Sequence, residues 1–383
     1  MKKSEPKYNI LKPIPLEERK RLFDVKHLQL EMRRQALLKT IKKYEARQAE
    51  IEAKAKRGEM TAKLKKEAKQ IAKKLVYYTK YIYVYSGHKK NEALGFVTVF
   101  NLGRSFKVRT IRGLHYDKAR ELYLNIYQRK DRDMSKKAKV FVYIHGGGWI
   151  GGIPATREAF TTKIAEAGYF VASISYGDAP KYAHPVITQN IFKAIGWLKD
   201  HAEEYNIDMD EIVVGGESAG AHLSAMTAAI LTNPEYAKRF KLDERACNQK
   251  IKGLVLNCGV YDIEKTAASG FRNVDVYTQS YCGGTAVCDL DEDMKKEISP
   301  IYFVTENFPP TFAISAENDK VAVLTFDLVK KLYDLGVYVE QYHGEGRWAV
   351  HAFAVSQGFK ISKEAMSGVL SFMSKLWHED LKA

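Results

Sequence analysis

Ile212-Val213-Val214-Gly215-Gly216-Glu217-Ser218-Ala219-Gly220-Ala221-His222-Leu223 decides the fold. The apolar run Ile212 to Gly215 reads as a buried strand, and Ala221 to Leu231 as a helix that opens on small residues. Between them Gly216-Glu217-Ser218-Ala219-Gly220 fits G-x-S-x-G. A serine that is to act as a nucleophile must project from a sharp, strained turn, and flanking glycines remove the side chains that would collide where strand and helix approach. An ordinary helix-capping serine is the plain alternative.

Outward from this turn, strands and helices alternate. Short β-rich runs come first, at Phe96 to Phe100, Phe106 to Ile111 and Leu122 to Tyr127. Strands are then expected at Val140 to Ile144, Phe170 to Ser175, Leu254 to Cys258, Thr311 to Ser315 and Val337 to Tyr342. Helices are expected at Arg157 to Ala167, about Ile187 to His201, about Leu324 to Leu335 and about Lys360 to Trp377. Such a succession predicts an α/β fold, with a mostly parallel central sheet and helices on both faces. Loops at the carboxyl ends of its strands would hold the chemistry.

One such loop is His145-Gly146-Gly147-Gly148-Trp149. Consecutive peptides without side chains can aim backbone N–H groups at the oxyanion of a tetrahedral intermediate, so Gly146, Gly147 and the N–H of Ala219 are the expected donors. Gly146 to Gly151 also satisfies the dinucleotide pattern G-x-G-x-x-G, with Asp178 after the next strand as a ribose-binding acid. Against that reading, Pro154 delays the helix that should receive a pyrophosphate, and bulky Trp149 sits inside the turn. No Gly-Lys-Ser/Thr follows, which counts against a P-loop. Trp149 is expected to wall the substrate site.

A serine nucleophile needs a base, and the base an acid, in the chain order Ser, acid, His. Ser315-Ala316-Glu317-Asn318-Asp319 follows a strand and supplies an acid, Asp319 or alternatively Glu317. His343, His351 and His378 lie beyond the serine's own helix. His351, between the last strand and the last helix, is the expected base; His343 is the alternative, and His378 lies in the tail. His222, one turn past the serine, reads as a helix residue packing near the elbow.

These residues resemble the hormone-sensitive-lipase-like branch of the α/β hydrolases, over roughly residues 95 to 380. Tyr176-Gly177-Asp178-Ala179-Pro180 stands where that family usually has Tyr-Arg-Leu-Ala-Pro, and His351-Ala352-Phe353 where it has His-Gly-Phe. Ser315 to Asp319 is similar to its Ser-Ala-x-x-Asp-Pro-Leu stretch, with Lys320 in place of the proline. The resemblance implies an α/β-hydrolase fold and hydrolysis of short to medium acyl esters through an acyl-enzyme, with Ser218, Asp319 and His351 as triad and no metal or organic cofactor. Residues 263–298 look like an inserted cap whose Phe271, Tyr277 and Tyr281 either line the acyl pocket or pack the core. An amidase or peptidase using the same triad, and a catalytically silent binding module on the same fold, remain as alternatives.

Composition adds a second unit. Residues 1–90 hold 26 Lys and Arg against 10 Asp and Glu, leaving 35 against 36 in the rest, so the net charge of +15 resides at the N-terminus. Within it, Leu30, Leu37, Ile41, Tyr44 and Ile51 form one apolar helical stripe, and Leu64, Ala68, Ile71, Leu75, Tyr78 and Ile82 another. Gly58 between them suits a left-handed cap, predicting an antiparallel helical hairpin over residues 1–90, ahead of a catalytic domain over residues 91–383. That basic arm is expected to serve packing, homo-oligomerisation or contact with an anionic membrane surface, with nucleic acid as the remaining alternative for the arm; the near-neutral body argues against nucleic-acid binding by the body itself, and no nucleic-acid partner is expected. Lys2 and Lys3 precede no apolar run, and no segment is apolar enough to span a membrane, which points to a cytoplasmic protein. Cys247, Cys258, Cys282 and Cys288 match no zinc spacing and are expected to be reduced thiols, although Cys282 and Cys288 could pair in an oxidising compartment.

Overall fold

A computed structural model describes residues 16–94 and 101–378. The strand expected at Phe96 to Phe100 and the first ten residues lie outside that range. The described residues divide into two compact units, residues 16–93 and residues 94–378.

The first unit is a pair of long helices, α1 (Leu16–Lys56) and α2 (Ala62–Leu94). Gly58 adopts φ 76°, and the N–H groups of Gly58 and Glu59 return to the carbonyls of Ala55 and Lys54, which closes α1 as a left-handed cap. Thr61 caps α2 by accepting from the Leu64 N–H at 3.2 Å. The helices run antiparallel: Tyr44 stacks on Tyr78, and the Arg47 guanidinium grips the Glu67 carboxylate through two bonds of 2.8 and 3.1 Å. Ile51 and Ile71, one from each stripe, are buried.

Among the described residues the second unit is built on eight strands: β1 (Val108–Asp117), β2 (Leu122–Arg129), β3 (Ala138–Ile144), β4 (Phe170–Ile174), β5 (Ile207–Glu217), β6 (Lys250–Asn257), β7 (Thr311–Ala316) and β8 (Val339–Gly344). Their order in the sheet is β1-β2-β4-β3-β5-β6-β7-β8. From β4 to β8 all neighbours pair in parallel, while β2 is antiparallel to both β1 and β4. The helices are α3 (Glu158–Glu166), α4 (Val186–Asp200), α5 (Ala202–Tyr205), α6 (Ala219–Thr232), α7 (Pro234–Ala237), α8 (Ile263–Ala268), α9 (Val274–Tyr281), α10 (Glu292–Glu297), α11 (Ala322–Asp334) and α12 (Lys360–His378).

Side-chain alternation along the strands builds two cores. Phe141 and Tyr143 of β3 join Val213, Val255, Phe312 and Ile314 in a cluster covered by Phe160 and Ile164 of α3 and by Phe372 and Leu376 of α12. The alternate set, Val140, Val142 and Ile144, is equally buried on the other face, where α6 lies against β3, β5 and β6. Between β6 and β7 the chain leaves the sheet to form α8, α9 and α10. All four cysteines are free thiols, Cys282 and Cys288 included. No helix among the described residues is long and apolar enough to cross a membrane.

Candidate functional site

Ser218 stands at the bend between β5 and α6 with φ 55° and ψ −122°, a conformation that side-chain-bearing residues rarely adopt. The flanking glycines are required by contact. A Cβ on Gly216 would lie 2.2 Å from the Ile144 carbonyl oxygen, and one on Gly220 only 2.0 Å from the same atom. The turn is pinned by the Ser218 N–H donating to the Asn257 carbonyl at 2.9 Å, and by the His222 N–H donating to the Ser218 carbonyl. Ser218 itself is only half-buried.

The triple-glycine loop passes directly beside it. A Cβ on Gly146 would stand 3.1 Å from the Ser218 Cβ and 2.5 Å from the Glu217 carbonyl oxygen. Gly147 has φ 127°, and its carbonyl accepts from the N–H groups of Ile150 and Gly151, which folds the loop back on itself. Gly148 has φ 60°, and the Tyr277 ring lies where its Cβ would be.

Glu217, the variable residue of G-x-S-x-G, is 1% exposed and turns its carboxylate under this loop. Its Oε1 accepts from the Gly146 N–H at 2.7 Å and from the Arg157 guanidinium, and its Oε2 from the Tyr143 hydroxyl. Burial, reinforced by the Glu217 charge, pushes the Tyr143 hydroxyl well above its ordinary pKa, so it stays protonated and donates. The expectation that Gly146 donates to an oxyanion is thereby corrected, because its N–H is committed to Glu217. The N–H groups of Gly147 and Gly148 enter no hydrogen bond among the described residues, and the Ala219 N–H, at the first position of α6, has no intrahelical acceptor.

His351 and Asp319 meet at the carboxyl ends of β7 and β8. Asp319 Oδ2 accepts from His351 Nδ1 at 2.8 Å, and its Oδ1 from the Val321 N–H at 3.1 Å. The Asp319 side chain is fully buried, whereas His351 is partly exposed with its ring 4.7 Å from that of Phe271. The segment leading to His351 is tied to the acid loop: Glu317 accepts from the Gly346 N–H at 2.6 Å, Asn318 Nδ2 donates to the Gly346 carbonyl, and the Asn318 N–H to the Ala349 carbonyl. Glu317 is therefore a loop brace and Asp319 the partner of the imidazole. His343, the alternative base, faces elsewhere, with Nδ1 2.8 Å from Ser315 Oγ and its ring against Phe326.

Two further side chains complete the surroundings. Cys258 follows the serine's backbone acceptor Asn257 and is buried with φ 48°. Its thiol lies within 4.8 Å of the ligand atoms of Asp319 and His351, and burial, with the Asp319 charge, raises its pKa. This is the only such group of three His, Cys, Asp or Glu among the described residues, and its Asp and His are already bonded to each other. Trp149 corrects another expectation. At 2% exposure it cannot wall a substrate site; its indole stacks on Tyr281 and donates to His222 Nδ1 at 3.2 Å. His222 Nε2 reaches the Ile298 carbonyl, and burial lowers its pKa to about 4, so it packs as a neutral imidazole. Of the cap aromatics, Tyr281 belongs to the core, while Phe271 and Tyr277 face His351 and Gly148.

The dinucleotide alternative fails on the helix that would receive a pyrophosphate. The first residue of α3 is Glu158, whose fully buried carboxylate is held by Arg104 at 2.6 Å and Arg112 at 2.8 Å. A carboxylate already occupies that positive end and would repel a phosphate.

Sheet order, strand-turn-helix serine and acid–histidine pair together define an α/β hydrolase. The chain matches the family described as BD-FAE over residues 124–328, more than half its length, and belongs to that family. It is 28% identical to esterase LipQ of Mycobacterium tuberculosis over 202 residues, covering 52% of this chain and 46% of the relative. It is 30% identical to an arylesterase of Saccharolobus solfataricus over 235 residues, 60% of this chain and 72% of the relative. The matched stretch thus spans about half of the former and nearly three-quarters of the latter. The crystal structure of esterase B from Lactobacillus Rhamnosis has the same fold, with a TM-score of 0.70 at 19% identity over 80% of this chain and 97% of that one. The resemblance to hormone-sensitive-lipase-like esterases read from the motifs is borne out by these relatives.

Proposed function

We propose that this protein is a serine carboxylesterase acting on short to medium acyl esters through an acyl-enzyme intermediate. The observation that carries the reading is a half-buried Ser218, held at positive φ beside the triple-glycine loop, in a fold whose β7 and β8 ends present a bonded Asp319–His351 pair. A second support is that the curated relatives reported above are an esterase and an arylesterase.

In this mechanism Ser218 Oγ attacks the ester carbonyl as His351 Nε2 takes its proton. Asp319 holds Nδ1–H and so fixes the imidazole with its other nitrogen free to accept. Charge developing on the carbonyl oxygen is met by the N–H groups of Gly147, Gly148 and Ala219, which need no reorganisation during the reaction. The protonated His351 delivers its proton to the departing alcohol, and a water activated by the same imidazole then hydrolyses the acyl-serine. Glu217 contributes by holding Gly146, and through it the loop, against the serine. The rings of Phe271 and Tyr277 close in on the reacting groups, which favours small acyl chains.

A panel of p-nitrophenyl esters from acetate to palmitate, run on wild type and Ser218→Ala, tests this. Turnover concentrated on the shorter chains, lost in the variant together with fluorophosphonate labelling, is the expected result. Equal turnover by both proteins would remove Ser218 from the mechanism, and cleavage of matched anilides in preference to esters would reassign the activity to amides.

A further inference from the structure

Helix α2 carries nine lysines and two glutamates within its 33 residues, and no arginine. Their placement is uneven. At 100° per residue, Lys65, Lys69, Lys73, Val76, Lys80, Tyr83 and Lys90 fall along one side of the helix, and both acids, Glu67 and Glu92, fall on the opposite side. Glu67 is there bonded to Arg47 of α1, and the Tyr44–Tyr78 stack marks the same inner face. All five lysines of the outer stripe are exposed. Val76 and Tyr83, two turns apart among them, are exposed by 59% and 75%. The stripe runs for about 38 Å along a straight helix and bears no negative charge.

We propose that this stripe of α2 binds the surface of a membrane rich in anionic lipid. Lysine supplies an unselective positive field with a long apolar stem, which lets Val76 and Tyr83 settle at headgroup level while the ammonium groups stay in water. Tyrosine is the side chain suited to that boundary, apolar in its body and polar at its tip. Nucleic-acid recognition would draw on the planar, bidentate guanidinium, and the stripe contains none. The apolar content is too small for binding to neutral lipid, so attraction to negative charge must supply most of the affinity and will be screened by salt.

Co-sedimentation of the full chain with vesicles tests this without reference to hydrolysis. Binding is expected to vesicles with about three parts in ten phosphatidylserine and not to pure phosphatidylcholine, with release as salt rises towards about 0.5 M. Lys65→Gln/Lys69→Gln should weaken partitioning about 25-fold, a factor of about five for each lysine. Tyr83→Ser should weaken it several-fold with no change in charge. Circular dichroism serves as the folding control, since glutamine matches lysine in helix propensity. Equal binding to both vesicle types, no binding to either, or indifference to the double substitution would each overturn the proposal. Tighter binding to duplex DNA than to anionic vesicles, unaffected by Tyr83→Ser, would replace the membrane with nucleic acid.

Discussion

Replacing Glu217 is expected to damage stability and rate by different routes, and the two can be separated. Glu217→Ala removes the carboxylate bonded to Arg157, whose side chain is only 13% exposed, a loss of about 3–5 kcal/mol. It also strands the Gly146 N–H and the Tyr143 hydroxyl as buried donors, at about 1–3 kcal/mol each. These losses share one acceptor group and do not add, so about 5 kcal/mol in total is the working figure. At about 2–3 °C per kcal/mol for a unit of this size, Tm falls by about 10–15 °C. Glu217→Gln keeps a carbonyl oxygen for Gly146 but loses the charge facing Arg157, and should cost about 2–3 kcal/mol. In the glutamine variant the loop is held less firmly, and donors displaced by a fraction of an ångström stabilise the oxyanion less well. Its kcat should fall about 100-fold with KM nearly unchanged, because those donors engage charge that exists only in the transition state. Differential scanning fluorimetry and steady-state kinetics on a short p-nitrophenyl ester provide both readouts. A glutamine variant with lowered Tm and wild-type kcat would show that Glu217 braces the fold alone; one that keeps both would refute the network altogether.

Three further outcomes follow from the same geometry. His351→Ala should lower kcat by at least about 1000-fold while leaving circular dichroism unchanged, and a loss of less than tenfold would point to another base. Burial lowers the pKa of both His145 and His222 from 6.5 to about 4, so the unfolded chain takes up these protons first as pH falls. The stability they confer when neutral is therefore present above about pH 6.5 and is lost progressively down to about pH 4, by about 2 kcal/mol per histidine at pH 5. Urea midpoints at pH 7 and pH 5 check this, and a difference that persists in full after His222→Gln would remove His222 from the account. Tyr277→Ala opens the space over Gly148 and should move the preferred acyl chain to greater length; an unchanged chain-length profile would place that ring outside the acyl path.

The fold was legible because its strands are buried on both faces and so appear as short apolar runs, each bounded by turn residues. Val140 to Ile144, Phe170 to Ser175 and Thr311 to Ser315 fall within a residue or two of β3, β4 and β7. What escaped was the solvated start of β5, Ile207 to Glu211, where Asp208, Asp210 and Glu211 mask the period although the backbone pairs with β3 and then β6. Short helices were missed for a related reason. α7 and α10 have four and six residues, fewer than a helical period needs to declare itself, and are set by caps at Asn233 and Asp291. The hairpin was legible in kind from two stripes and a glycine, but not in extent, because α1 begins at Leu16 within a run too charged to show an apolar face.

The site divides differently, according to whether a residue acts through its backbone or its side chain. Gly216 and Gly220 could be read directly, since only the absence of a Cβ is tolerated where the Ile144 carbonyl presses on the turn. Asp319 and His351 could be read from chain order, because each follows a strand whose end must lie near the serine. The choice among backbone donors could not, because Gly146, Gly147 and Gly148 are the same residue three times and differ only in what their N–H groups meet. Glu217 makes that distinction. Its carboxylate takes the Gly146 N–H and leaves the next two, so in the mechanism proposed above the residue that pattern notation writes as x selects the oxyanion donors. A buried acid beside a serine elbow has to find its cation and its hydroxyl somewhere, and Arg157 and Tyr143 lie 60 and 74 positions earlier in the chain. No local period links them; they meet because β3 and β5 are neighbours in the sheet and α3 begins above their ends.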